Sequence, residues 1–183
     1  MAFFKKPDQI LIWKEKLKYT HYLLKRRPTA MIGLIFIGFL VLVALTAPLI
    51  APYSPNAFSA SGLETPSLSY PFGVDHLGRD QLSRVIYGTR ISLWAGLLAV
   101  SIALTFGTLI GVISGYFGGW VDNLIMRTMD IMMALPYVLL AILIAAVLGP
   151  TLQNGILAIG IVRVPRFARL ARASTLSIKE LHY

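Results

Sequence analysis

Cysteine is absent from this chain of 183 residues, which excludes a disulfide framework, thiolate chemistry and any cysteine-ligated metal site. Charge is scarce as well. Asp, Glu, Lys and Arg together make 14% of the residues, and only 8 of them are acidic, too little for a soluble domain of this length. Histidine occurs only at His21, His76 and His182, in separate regions. The apolar segments therefore hold no Ser/His pair, no paired aspartates and no His-Glu-x-x-His helix, and an intramembrane enzyme is the least favoured class. No glycine cluster is followed by Gly-Lys-Ser/Thr, so no phosphate-binding loop is present.

What the chain does have is apolar length. Hydrophobic residues make 56% of it and mean hydropathy is +0.71. These values indicate an all-α integral membrane protein, a polytopic helical bundle. The net charge is +9, but its distribution argues against nucleic acid. Of 17 Lys and Arg, 8 lie before residue 28 and 5 after residue 162, flanking the apolar segments as cytoplasmic charges do.

In order, residues 1–29 combine Lys5, Lys6, Lys14, Lys16, Lys18, Lys25, Arg26 and Arg27 with Ile10, Leu11, Trp13, Leu17 and Leu24. The pattern predicts a cytoplasmic basic amphipathic helix resting on anionic lipid. Residues 30–50 predict a first span, an uncleaved anchor with the amino terminus inside; the run is too long for a signal peptide. Residues 51–90 predict an extracytoplasmic loop. Half of the 10 prolines (Pro48, Pro52, Pro55, Pro66 and Pro71) fall between residues 48 and 71, and an amphipathic surface helix is expected over 75–90, with Leu82, Val85, Ile86 and Thr89 on one face. Asp80 precedes Arg84 by four residues, a spacing that supports a helix by about 0.3 kcal/mol. Asp75, His76 and Asp80 suit caps and ion pairs better than a metal, because adjacent residues do not share a helix face.

A second span is expected over 91–115. Ala95, Ala99, Ala103, Gly107, Gly111 and Gly115 recur at every fourth position, one row of minimal side chains. In lipid such a row is a packing face, because close backbone approach must supply the contact that apolar burial cannot. Residues 116–123 predict a cytoplasmic turn in which Gly118 and Gly119 supply unusual backbone angles and Trp120 sits at the interface. Asp122 is placed to cap the next helix. That third span, 123–148, is expected to kink at Pro136, with Arg127 and Asp130, three residues apart, pairing along it. An ionisable residue near the apolar core is a functional candidate by default. After an outer turn at 149–154, a fourth span is expected over 155–173. Arg166, Arg169 and Arg172 form a basic ridge along it, facing lipid phosphates or an acidic protein surface.

Four blocks taken together resemble a known family: Gly73-Val-Asp75-His-Leu-Gly78-Arg79-Asp80 with Arg84; Gly115-Tyr-Phe-Gly118-Gly119-Trp-Val-Asp122 with Arg127 and Asp130; Asp130-Ile-Met-Met-Ala-Leu-Pro136; and Arg166-Phe-Ala-Arg169-Leu-Ala-Arg172. In this order they resemble the permease subunits of bacterial ABC importers, in the branch serving dipeptides, oligopeptides or nickel. The resemblance covers about residues 15 to 183.

It implies a multi-pass subunit of the bacterial cytoplasmic (inner) membrane with about four of an expected six spans. The residues 91–183 are a partial permease domain. The implied partners are a second homologous permease, two cytoplasmic ATPase subunits, an extracytoplasmic substrate-binding protein and membrane lipid, without nucleic acid. This chain would bind no cofactor, ATP being used by the partner subunits. In the family a Glu-Ala-Ala coupling loop follows a segment like Arg166 to Tyr183, so the chain reads as truncated just before it. The competing expectation is a mature, non-transporting membrane protein that acts as a structural or regulatory partner of a full-length permease.

Overall fold

The computed structural model describes residues 27–58 and 62–181. The basic amphipathic segment, up to residue 26, lies outside the described residues, as do His21, His182 and Tyr183. Among the described residues five helices follow one another: α1 (Pro28–Ile50), α2 (Gln81–Phe117), α3 (Gly119–Ala134), α4 (Tyr137–Leu148) and α5 (Leu152–Leu181). The only β structure among the described residues is two isolated bridges, Glu64 to Val74 and Val74 to Asp80. The chain divides into two compact units, residues 1–90 and 91–183.

Helix α1 opens with Pro28 in its first turn, where the missing N–H costs no intrahelical bond. Its side chains are apolar all round, and Ile35, Phe36, Phe39, Leu42 and Leu45 are exposed. A helix that shows such a surface on every side, 23 residues long, suits lipid as its solvent. By length and composition α1 and α2 can each cross a membrane, and the bent pair α3 and α4 makes a third crossing if it is one broken span. Helix α5, where the fourth span is expected, runs for 30 residues. Arg163, Arg166, Arg169 and Arg172 in its middle keep it out of that apolar class.

The rest of the first unit is a loop folded onto the start of α2. Gly73 takes φ +75°, and a β-carbon there would fall 2.6 Å from the Glu64 carbonyl oxygen. Only glycine lets the two strands of this loop approach so closely. Val74 donates its N–H to Glu64 and is 1% exposed, while the Gln81 N–H returns to the Gly73 carbonyl. Helix α2 then starts after Asp80, whose Oδ2 accepts the Ser83 N–H at 2.8 Å, the geometry of an N-cap.

Where the sequence suggests a surface helix over 75–90 and a span over 91–115, the structure has one helix of 37 residues beginning at Gln81. No proline occurs between Pro71 and Pro136, and Gly88 alone does not stop a helix whose apolar residues continue past Arg90. Residues 75–80 form the tight turn before it.

In the second unit, α2 ends at Phe117. Gly118 and Gly119, at φ +64° and +53°, turn the chain directly into α3. The expected kink at Pro136 is a full break: α3 and α4 are bent by 96°. Leu135 is forced to extended angles by the proline that follows, and Pro136 has no N–H with which to continue α3. Helix α5 returns along the unit and packs against both α3 and α4. The small core there joins Met129, Val164 and Ala168, with Ile110, Ile125, Met126 and Met132 around it.

Candidate functional site: the glycine seam between α2 and α5

The predicted row of small residues lies along α5. A β-carbon on Gly107 would fall 2.5 Å from the Phe167 Cβ and 2.8 Å from the Val164 carbonyl oxygen. One on Gly111 would collide with the Ala168 carbonyl and stand 2.8 Å from the Ala171 Cβ. At Gly115 the obstacles are the Thr175 Cβ at 2.8 Å and the Arg172 carbonyl oxygen at 3.1 Å. Farther up, the roles are exchanged: Gly160 of α5 receives the Ile102 side chain, a β-carbon there being 3.0 Å from the Ile102 Cβ. Ala99 and Ala103 are buried, and Ala95 is half-buried at the end of the row. Backbone against backbone, these two helices have no room for a further methyl group.

One end of the seam is fastened by charge. Asp122, in the first turn of α3, accepts Arg172 Nε and Nη2 from α5, each at 2.5 Å, on its two oxygens. The planar guanidinium suits such a two-point grip on a carboxylate. Ser114 of α2, fully buried, donates its hydroxyl to the same carboxylate. Asp122 thus ties three helices together. The sequence reading makes Asp122 a helix cap, but the α3 N-terminus has Gly118 in that place and no side-chain cap. The carboxylate is drawn instead to the arginine crossing it.

A second cross-helix pair corrects another expectation. Asp130 pairs with Arg169 of α5, not with Arg127 on its own helix. The basic ridge therefore splits. Arg169 and Arg172 are answered by the two acids of α3, whereas Arg166 has no acidic partner among the described residues. Sequence reasoning set no weight on Arg163, which shares this condition and faces a groove beside Pro136. Its early position in an otherwise apolar half-helix was the available signal.

The residues expected to matter outside the membrane gather around Asp75. Its Oδ1 accepts the Leu77 and Arg79 N–H groups at 2.8 and 3.1 Å, and its Oδ2 accepts Arg79 Nε at 2.9 Å. Arg84 also bonds to Oδ2. The expected Asp80 to Arg84 pair is not formed, because Asp75 holds the arginine and Asp80, 1% exposed, caps α2. Gly78, at φ +75°, closes the turn. The other Asp80 oxygen, Oδ1, is buried without a hydrogen-bond partner among the described residues. His76 belongs to no group of three His, Cys, Asp or Glu able to hold a metal among the described residues.

Burial raises the Asp75 pKa, but the backbone and side-chain hydrogen bonds from Arg79 and Leu77 outweigh it and hold the carboxyl at about 2. A folded-state pKa below the usual carboxylate value stabilises above that value and loses its effect as pH falls through the folded one. The turn at 73–81 is thus expected to be protected at neutral pH and to loosen between about pH 4 and pH 2. Amide exchange at Val74 and Gln81 measures it. Asp75→Asn should exchange fast throughout; unchanged protection in that variant would show that the carboxylate does not hold the turn.

Residues 17–67 match the family described as the N-terminal TM domain of oligopeptide transport permease C. Residues 107–183, which hold Gly107, Gly111 and Gly115 of α2, Asp122, Asp130 and all of α5, match the family described as binding-protein-dependent transport system inner membrane component. A dipeptide transport system permease protein of Alkalihalophilus pseudofirmus is 47% identical over 169 residues, covering 92% of this chain and 54% of that protein. One of Haemophilus influenzae is 42% identical over 177 residues, covering 93% and 60%. A glutathione transport system permease protein of Escherichia coli O6:K15:H31 is 46% identical over 178 residues, covering 96% and 57%. The chain spans rather more than half the length of these relatives. With both of its parts matched in order and identities above two in five, the chain belongs to the permease family of binding-protein-dependent ABC importers.

Proposed function

We propose that this chain forms part of the translocation path of an importer for short peptides in the bacterial cytoplasmic membrane. Its immediate partners are a second, similar permease, two cytoplasmic ATPase subunits and an extracytoplasmic binding protein. ATP is consumed by the ATPase subunits, and this chain carries no cofactor of its own. The amino terminus lies inside, since the basic flanks outweigh Arg79, Arg84 and Arg90 on the other side.

The observation that carries this reading is the match over 107–183, which contains the Gly107, Gly111 and Gly115 part of the α2–α5 seam. A seam of that tightness moves as one body, and the break at Pro136 gives the neighbouring α4 a separate direction. Rocking of such bodies against a second permease provides alternating access. Relatives named for dipeptides and glutathione support peptides as cargo. In a strain without redundant systems, deleting the gene that encodes this chain should reduce uptake of labelled di- and tripeptides at least about tenfold, with restoration by the intact gene. Uptake unchanged by the deletion would overturn the reading.

A further inference from the structure

Two arginines on α5 have no acidic partner among the described residues. The second unit contains only three acidic residues, Asp122, Asp130 and Glu180. The first two are taken by Arg172 and Arg169. Glu180 stands 17 residues beyond Arg163 on the same helix, about 25 Å away at 1.5 Å per residue. Among the described residues Arg163 and Arg166 therefore carry two positive charges with no acid paired to them.

With α5 taken as the expected fourth span, entered from the turn at 149–154, their position makes this costly. Helix α5 begins at Leu152, after the Gly149-Pro150 turn, and Arg163 follows 11 residues later. The intervening helix is about 16 Å long, half the thickness of a hydrocarbon core of about 30 Å. A guanidinium at that depth is kept only where it meets an opposite charge or a polar path.

A groove opens beside it. Where α3 breaks from α4, a cavity of about 500 Å³ is lined by Met132, Leu135, Pro136, Tyr137, Arg163 and Arg166, among others. A second cavity of about 360 Å³ shares Tyr137 and Arg163 and continues between α4 and α5 along apolar side chains. One end is cationic and the other apolar, which complements a small molecule with a carboxylate at one end and an apolar body at the other.

We infer that Arg163, supported by Arg166, holds the carboxylate of a peptide in transit through the groove at the Pro136 break. The inference rests on the importer reading and adds to it a chemical requirement: the cargo presents a free carboxylate. The guanidinium grips both oxygens as Arg172 grips Asp122 within the same unit. The break at Pro136 keeps α4 turned away from α3, which leaves the groove wide enough to take a peptide. Cargo leaves as the two permeases rock and the groove changes width.

The test uses the full-length permease assembled with its partners in vesicles, with loaded binding protein at saturation. Uptake of a short peptide and of its C-terminal amide is measured for Arg163→Lys, Arg163→Gln and Arg163→Glu, each relative to wild type. The binding protein's own preference cancels in that ratio. Relative uptake of the acid is expected to fall least for Lys, which keeps the charge but not the two-point grip, about tenfold for Gln and further for Glu, while relative uptake of the amide changes less than about twofold. Gln and Glu are nearly equal in size, so a packing role would lower both equally. Equal loss for Gln and Glu, or equal loss for acid and amide, overturns the assignment, as does no loss at all. Wild-type vesicles that accumulate neither peptide overturn the importer reading and this inference with it, whereas wild-type uptake with an unaffected Arg163→Gln overturns this inference alone.

Discussion

Gly111→Leu is expected to separate α2 from α5. The first added carbon already meets the Ala168 carbonyl and the Ala171 Cβ. Neither is the end of a flexible side chain, so relief requires the helix backbones to move apart. Overpacking in a close-packed interior costs about 1–3 kcal/mol even where side chains can yield, and here the upper end applies. As the helices part, Ser114 and Arg172 lose their common partner Asp122, and the Met129, Val164 and Ala168 cluster opens. A fall of about 3 kcal/mol in stability, or loss of folded protein from the membrane, should result. The control lies on the same helix: Gly96 has nothing within 4 Å of an added β-carbon, and Gly96→Leu should change stability by less than about 0.5 kcal/mol. Thermal or denaturant unfolding of the two variants in detergent measures the difference. Equal stability of Gly111→Leu and Gly96→Leu would mean that the seam does not hold the unit together.

The seam was legible in the sequence because a period of four is a property of one helix. Gly107, Gly111 and Gly115 announce a face without naming its partner. What sequence spacing could not supply was the partner itself. Asp122 and Arg172 are 50 residues apart, and nothing local brings them together until α3 and α5 cross.

Local spacing rules gave the wrong partner twice for the same reason. Asp130 lies three residues from Arg127, but a pair on one helix surface contributes only a few tenths of a kcal/mol. Arg169 reaches it from a neighbouring helix. Asp80 lies four residues from Arg84, yet Asp75, supplied with backbone N–H donors, is the better acceptor. Pro136 marked where the chain bends, since a missing N–H is visible in the sequence. The size of the bend was not, because it depends on what packs on either side. The continuity of α2 through Arg90 follows from the lack of any proline or glycine cap there, an absence outweighed in the sequence by the change from amphipathic to apolar pattern.

The two cross-helix ion pairs should differ sharply in energy although their chemistry is the same. The Asp122 side chain is 15% exposed and Arg172 34%, while Asp130 and Arg169 are 52% and 46% exposed. Removing one member of a fully buried pair leaves an uncompensated charge and costs about 3–5 kcal/mol. Arg172 remains partly open, so Asp122→Ala is expected to cost about 2–3 kcal/mol. Arg172→Ala should cost a similar amount, because the carboxylate then keeps only the Ser114 hydroxyl. The double variant removes both charges and should be less damaging than the sum, with a coupling energy of about 1–3 kcal/mol. The same cycle on Asp130 and Arg169 should give less than about 1 kcal/mol, as for surface pairs, and should weaken further in high salt. Unfolding of the two sets of variants under one condition decides the matter. Coupling energies that are equal for the two pairs would mean that Asp122 is not the point where α2, α3 and α5 are fastened; a large and salt-resistant value at Asp122 alone would place the fastening there.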